Sequence, residues 1–458
     1  MGRRFHLRTF GCQMNQHDAQ KISNLLLHEG FSATEELESA DLVLIHTCSV
    51  RAKAEQKLYS ELGALSALKQ RRAGLIIGVG GCVAQQEGDR LLARFPHLDF
   101  VFGPQNIVHL PKMIGVADVQ RSLRVDYSED PQERFELPER HPEYTSPTPG
   151  RAFVTVMEGC DLFCSFCVVP RTRGREVSRP SASILGEVRA LAERGVIEVT
   201  LLGQTVNAYG RPRPGRVAGE VAFAELIRAV AAVPGIQRVR FTSPHPIFVG
   251  DDLIACYADV PELCPHLHLP VQSGSSRVLS AMRRRYDRDD YLKRVERLRR
   301  ARADLALTTD VIVGFPGETR EDFEQTLSLV RELAFVDSFS FKYSPRPGTP
   351  AVRAGLEPID PAEAQSRLEE LQALQRSLTL AAHERRVGSS VRVLVEGASR
   401  HGAGQRCGRC PYNRIVNFSS REPVPAGTLV DVDIHGATPH SLLGEVPVKR
   451  TNLELPCI

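Results

Sequence analysis

Gly159-Cys160-Asp161-Leu162-Phe163-Cys164-Ser165-Phe166-Cys167 sets three thiols in one short loop, spaced C-x3-C-x2-C, with no fourth. A closed zinc site takes four protein ligands, usually as two Cys or Cys/His pairs, and thiolates without histidine favour an iron-sulfur cluster. Three thiolates on a four-iron cube leave one iron open to a small molecule. The plainer reading is a tight loop of buried or disulfide-forming cysteines, but three thiols this close seldom occur without a metal.

Working outward from that loop, an apolar run, Ala152 to Val156, precedes it and an amphipathic stretch, Ala182 to Arg194, follows. The alternation continues through Ile197 to Leu202, Val239 to Thr242, Leu267 to Pro270, Leu307 to Val313 and Phe339 to Tyr343, with a further helical stretch from Asp289 to Ala301. Strands alternating with helices predict a parallel sheet with right-handed crossovers. Six units are too few for an eight-stranded barrel, so an open, partial barrel is expected. After each strand comes a cluster of glycine and small polar residues, including Gly203-Gln204-Thr205-Val206-Asn207, Ser243-Pro244-His245, Gln272-Ser273-Gly274-Ser275 and Gly314-Phe315-Pro316-Gly317-Glu318. Any one of these is an ordinary turn or helix cap. Their recurrence, beginning with the thiol loop, predicts a site on the carboxyl face of the strands.

The first hundred residues repeat the logic in an open sheet. Arg4 to Phe10, Leu42 to His46 and Leu75 to Val79 read as buried strands, separated by helices over His17 to His28 and Ala52 to Lys69. Directly after each strand stands a cysteine: Cys12, Cys48 and Cys82. The carboxyl ends of strands in an open parallel sheet line one crevice, so these three are expected to meet there. A single free cysteine is ordinarily a small core residue; three at the same topological position predict a second cluster with an open iron.

A long helix from Pro361 to Arg386 leads into short alternating strands, Val391 to Val395, Arg414 to Phe418, Leu429 to Ile434 and Leu442 to Glu445. They predict a small antiparallel barrel of the kind that accepts nucleic acid. Arg400, Arg406, Arg409 and Arg414, with Tyr412 among them, are candidate phosphate and base contacts. The fold class expected is therefore α/β: an amino-terminal open parallel α/β domain (1–125), a central partial (βα)6 barrel (145–386) and a small antiparallel β-barrel (387–452).

Composition agrees. The 458 residues, 42% hydrophobic, suffice for two or three cores. Eleven cysteines make an odd number for a disulfide framework, and no apolar leader or membrane-length run is evident. A reducing cytoplasm, where thiols persist as ligands, is the expected setting. A net charge of +3 leaves polyanions to local basic patches. No Ser-His-Asp arrangement is evident. Cys407 and Cys410 form a C-x2-C that cannot complete a zinc site, and are expected to be incidental surface thiols; Cys256 and Cys264 read as structural.

The chain resembles the radical S-adenosylmethionine (SAM) methylthiotransferases over essentially its whole length. The resemblance is carried by Phe10-Gly11-Cys12-Gln13-Met14-Asn15, Thr47-Cys48-Ser49-Val50-Arg51, Gly81-Cys82-Val83-Ala84-Gln85, the stretch from Met157 through the thiol loop to Pro180, Leu202 to Tyr209, Thr242 to Pro246, His268 to Ser275, and Phe341 to Pro350. It implies that Cys160, Cys164 and Cys167 hold a 4Fe-4S cluster whose open iron binds SAM and yields a 5'-deoxyadenosyl radical. It implies a second, auxiliary 4Fe-4S cluster on Cys12, Cys48 and Cys82 that carries the delivered sulfur. Phe166 would pack on the SAM adenine, with Gly203, Gln204, Ser243, Gln272 and Gly314 as contacts to its polar parts. The carboxy-terminal barrel would be a TRAM domain binding RNA. Within the family, Gln13-Met14-Asn15, Val168-Val169-Pro170, Ser243 to Pro246 and Glu176 to Pro180 resemble the branch that adds a methylthio group to C2 of N6-dimethylallyladenosine at position 37 of the tRNA anticodon loop. Sister branches act on threonylcarbamoyl-adenosine or on a ribosomal protein aspartate. A noncatalytic iron-sulfur RNA-binding protein and a zinc-dependent one are the rivals from another class. The partners implied are the tRNA anticodon loop, a reductase and a sulfur or cluster donor, acting on a monomer, with no membrane and no DNA.

Overall fold

The computed structural model describes residues 2–49, 52–135, 138–144, 146, 148–211, 221–400, 402 and 404–447. Val50 and Arg51 of the second cysteine motif, the last residues of the expected third domain, and Cys457 lie outside them.

The amino-terminal sheet is six-stranded and wholly parallel, in the order Ser32–Ala33, Arg4–Phe10, Leu42–Thr47, Ile76–Gly81, Phe100–Phe102, Ser122–Arg124. Both faces of its central strand are buried. Val43 and Ile45 pack with Leu58, Leu62 and Leu65 of helix Ala52–Arg71. Leu42 and Leu44 pack with Ile22 and Leu26 of helix Gln13–His28. A strand covered on two sides needs a continuous apolar run, which is what Leu42 to Ile45 supplies. The three short strands were not legible as runs, because two or three residues are too few to show a period.

The six strands expected in the middle of the chain form at Arg151–Thr155, Glu198–Leu202, Arg238–Phe241, His266–His268, Ala306–Val313 and Asp337–Lys342. They lie side by side in chain order as two three-stranded parallel sheets. A single parallel bridge, Val239 to Leu263, marks the seam between them. One face of this curved sheet carries Val154, Val199, Leu201, Val239, Leu267, Leu307 and Val311 into the main core beneath the helices. The alternate residues, among them Phe153, Glu198, Arg240, His268, Asp310 and Ile312, line the lumen. Helix Pro361–Glu384 closes the domain; Asp360 caps it, accepting from the amides of Ala362 and Glu363 at 2.8 and 3.1 Å, with Pro361 at its first position.

The carboxy-terminal barrel is closed and five-stranded, ordered Ser390–Ala398, Arg406–Arg409, Ile415–Ser419, Leu442–Glu445, Leu429–Ala437. Two details correct the expectation. Arg406–Arg409 is an additional strand, disguised by its charges, and the Ile415–Ser419 and Leu442–Glu445 pair is parallel, so the barrel is not antiparallel throughout.

This barrel plugs the floor of the lumen. Glu198, fully buried, lies 3.5 Å from Arg238 and 3.1 Å from Arg240. Arg240 donates to the carbonyls of Pro411 and Cys410, both at 2.9 Å, and Arg238 to that of Arg409 at 3.1 Å. Glu396 bridges Arg151 and Arg409 at 3.0 Å each. Cys410 is fully buried in the barrel core, so it is not the surface thiol that the spacing suggested. Among the described residues no helix is long and apolar enough to cross a membrane.

Glu198→Ala leaves two buried guanidinium groups without their shared carboxylate. Removing one partner of such a set costs about 3–5 kcal/mol. The expected result is a lowered thermal unfolding midpoint, with early exposure of the carboxy-terminal barrel to limited proteolysis.

Candidate active site

The loop Gly159 to Cys167 follows the first barrel strand and sits on the carboxyl face. Gly159 has φ +83°, and a Cβ there would stand 2.0 Å from the Arg175 carbonyl oxygen, so glycine is required where the chain turns into the loop. The Gly159 amide donates to Gln204 Oε1 at 2.5 Å, tying the loop to the turn after the second strand. Cys160 Sγ lies 3.1 Å from Thr205 Oγ1, and Arg284 Nη1 donates to Cys164 Sγ at 3.4 Å. Burial pushes the Cys160 thiol up. Burial, and then the neighbouring Cys164 and Cys160, push Cys167 up to about 12. Three thiolates here repel one another unless a strongly cationic group lies among them. A cluster of iron ions supplies that charge, so the donor set fits a cluster.

The structure brings Cys12, Cys48 and Cys82 together at the ends of strands Arg4–Phe10, Leu42–Thr47 and Ile76–Gly81. The Cys48 thiol donates toward Cys12, and together with Arg173 this outweighs burial and holds Cys12 down to about 6. Asn15 Oδ1 lies 3.1 Å from Cys12 Sγ. Cys82 is pushed up by burial, against the charge of Arg173, which hydrogen-bonds it. Gly81, at φ +101°, leaves no room for a side chain, since a Cβ would meet the Thr47 carbonyl oxygen at 2.3 Å. Among the described residues no three His, Cys, Asp or Glu side chains crowd a point as one ion requires.

Arg173 is the residue that sequence reasoning missed. It belongs to the stretch after the thiol loop, yet it is buried against the other domain, paired with Asp18 and 4.0 Å from Glu158. Lys21 reaches the same Glu158 at 3.3 Å, and His46 Nε2 lies 3.9 Å from Asp18. The Arg173 carbonyl is fixed by Gln105 and Arg134, at 2.7 and 2.8 Å. Asp18, Cys82 and Glu158 more than offset the burial of the guanidinium, so it stays charged. Nothing local in the sequence separates such an arginine from the exposed Arg175 two residues on.

The SAM-contact candidates divide. Gly203, Gln204, Ser243 and Gln272 all stand on the carboxyl face. Gln204 Nε2 is buried without a hydrogen-bond partner, as is Nε2 of the adjacent His245. Left-handed backbone recurs here: Ser243, Gln272 and Phe163 have φ of +59°, +72° and +51°. Such backbone costs about 1–3 kcal/mol per residue and gathers at functional sites. Phe166 packs against the cluster of Cys160, Leu162 and Cys164 and against that of Val278, Met282, Phe315 and Ala351. Gly314 differs: a Cβ there would meet Ala364 at 2.8 Å, so its closest approach is to the long helix.

The RNA-contact candidates divide as well. Arg409 is engaged by Glu396 and Asn413, Arg414 by Asp337 at 3.0 Å, and Tyr412 by Asp304 at 2.9 Å with Arg386 over its ring. These three join the small barrel to the central domain and are not displayed to a ligand. Arg400 is exposed and Arg406 half-buried on the small barrel.

Comparison with known proteins gives this geometry its family. Residues 4–103 match the Uncharacterized protein family UPF0004, 154–330 the Radical SAM superfamily and 384–446 the TRAM domain. The tRNA-2-methylthio-N(6)-dimethylallyladenosine synthase of Geobacter metallireducens is 50% identical over 444 residues, covering 97% of this chain and 98% of that protein. The protein of the same name from Myxococcus xanthus is 48% identical, covering 97% and 94%. The chain belongs to the tRNA-2-methylthio-N(6)-dimethylallyladenosine synthase family.

Among solved structures, the radical SAM methyltransferase TsrM from Kitasatospora setae, with cobalamin and a [4Fe-4S] cluster bound, aligns at TM-score 0.54 and 15% identity, covering 89% of this chain and 81% of that one. The cobalamin-dependent radical enzyme OxsB aligns at 0.51 and 11%, covering 81% and 56%. Those likenesses concern fold alone. Cys12 and Met14 of the amino-terminal domain pack with Phe153 and Leu202 of the first two barrel strands.

In the metal-free protein, Cys12 is expected to alkylate with a midpoint near pH 6, because its thiolate forms above its lowered pKa. Cys167 is expected to stay unreactive until about pH 12. Quantifying alkylated peptides by mass spectrometry across pH checks both, and Arg173→Gln is expected to move the Cys12 midpoint upward.

Proposed function

We propose that this chain transfers a methylthio group to C2 of N6-dimethylallyladenosine at position 37 of tRNA. The observation that carries the reading is a pair of three-thiol sets in a chain of this family, one in the loop after the first barrel strand and the other meeting the first two barrel strands through Cys12. Cys160, Cys164 and Cys167 would hold the 4Fe-4S cluster that takes SAM, and Cys12, Cys48 and Cys82 the auxiliary one. When bound, these groups supply one-electron cleavage of SAM and the sulfur to be transferred.

The protein's own residues bind, orient and exclude water. Arg284 and Thr205 hold Cys164 and Cys160 in place. Phe166 offers an apolar surface beside the thiol loop, and Gln204 and Gln272 offer polar groups at the strand ends. His245, kept neutral by burial and by Arg284, cannot add a positive charge beside the sulfonium of SAM. The small barrel seals the floor of the lumen, so substrate enters at the carboxyl face or through the open side. A single-stranded anticodon loop suits this, since its bases can be turned outward. Arg400 and Arg406 are the basic residues of the small barrel assigned to RNA. The domain limits assigned are 1–125, 145–386 and 387–452. A reductase and a sulfur or cluster donor complete the cycle, and the enzyme acts as a monomer in the cytoplasm, where its many thiols stay reduced.

The test is mass spectrometry of nucleosides from tRNA carrying dimethylallyladenosine, after incubation with anaerobically reconstituted protein, SAM and a reductant. A methylthio gain on that nucleoside is expected. Cleavage of SAM without that gain would move the substrate to a sister branch. Changing Cys160, Cys164 and Cys167 to alanine is expected to halve the iron content and abolish SAM cleavage, whereas full iron loading would contradict the ligand assignment.

A further inference from the structure

The last barrel strand, Asp337–Lys342, is an edge strand, paired on one side only by Ala306–Val313. Its register sets Phe339 beside Asp310 and Phe341 beside Ile312. Asp310 and Ile312 alternate with Thr309, Val311 and Val313, of which the last two are in the helix-covered core. Phe339 and Phe341 therefore face the lumen, and they are 54% and 42% exposed. Large aromatic side chains left open on the inside of a barrel are costly unless something covers them.

Their surroundings indicate what does. The His268 ring stands edge-on to Phe339, with centroids 5.9 Å apart. His268 Nε2 lies 3.3 Å from Asp310 Oδ1, and Nδ1 lies 3.0 Å from Thr308 Oγ1, so both ring nitrogens are engaged and the Asp310 carboxylate is held beside the aromatic pair. Toward the carboxyl face the wall continues through Ile312, which packs against the same cluster of Val278, Met282 and Phe315 as Phe166 of the thiol loop. Across the lumen, Phe153 of the first strand packs with Met14 and Cys12. The aromatic pair is thus continuous with one thiol set and opposite the other, above a floor closed by the small barrel.

We propose that Phe339, Phe341 and Asp310 form the subsite that receives the N6-alkylated adenine and distinguishes it from unmodified adenine. The proposal rests on the function assigned above. An adenine carrying one alkyl group on N6 presents a flat ring, a branched apolar substituent and a single remaining N–H. The aromatic faces take the first two, and the Asp310 carboxylate accepts from the third. Unmodified adenine has no alkyl group for the aromatic pair.

The test uses reconstituted full-length protein and two anticodon stem-loop RNAs of one sequence, one with N6-dimethylallyladenosine at position 37 and one with adenosine. Binding is read by fluorescence anisotropy, and SAM cleavage and iron content are read in parallel. Wild-type protein is expected to favour the alkylated RNA. Phe339→Ala with Phe341→Ala is expected to reduce that preference by roughly tenfold to a hundredfold, the scale of a lost base-aromatic contact, with iron content unchanged. Phe339→Leu with Phe341→Leu, which keeps the apolar surface, is expected to keep most of the preference and guards against a folding defect in the alanine pair. An unchanged preference in the alanine pair, or an equal loss for both RNAs, would overturn the subsite. Failure of wild-type protein to methylthiolate the alkylated RNA would instead overturn the function on which it rests.

Discussion

A buried ion pair between Arg173 and Asp18 is the constraint on which the arrangement of the two thiol sets depends. Arg173 comes from the stretch that follows the barrel's cysteine loop, and Asp18 from the first helix of the amino-terminal domain. Neither charge is stable in that environment alone, and breaking such a pair costs far more than its net formation contributes. Glu158, Lys21 and His46 gather around it, so the docking of the two domains carries a whole cluster of buried charges with it. That docking leaves the guanidinium beside Cys82 and brings Cys12 against the barrel lumen. A cation beside a thiolate cluster also stabilises its negative form, so the contact that docks the domains acts on the chemistry of the auxiliary set.

A second polar network works at the opposite end of the barrel. Glu198, Arg238 and Arg240 stand on lumen-facing positions where apolar residues would fill an ordinary barrel core. Their arginines donate to the carbonyl oxygens of Arg409, Cys410 and Pro411 in the small barrel. The small barrel, which matches the TRAM domain, is consequently a structural floor, and Tyr412 and Arg414 serve the joint. On the edge strand above that floor, Phe339 and Phe341 remain open.

Much of this was legible in the chain. The strand and helix periods predicted six parallel barrel strands and the three main strands of the first sheet, because apolar runs alternating with amphipathic stretches carry their period in the sequence. The six cysteines announced themselves by spacing or by topological position. The short strands Ser32–Ala33 and Phe100–Phe102 did not, and neither did Arg406–Arg409, whose charges hide its pattern. Cys410 was misplaced on the surface, since a C-x2-C reads alike whether a core or solvent surrounds it.

The sequence by itself determined the element order, the domain types and the placing of six cysteines after strands, since these depend on local period, turn chemistry and spacing along the chain. Only the tertiary structure decided which charges are buried together and which aromatic residues are left open. Arg173 against Asp18, Glu198 against Arg240, and Phe339 beside Asp310 are contacts between segments far apart in the chain. Their identity follows from domain docking and strand register, and no local pattern records either one.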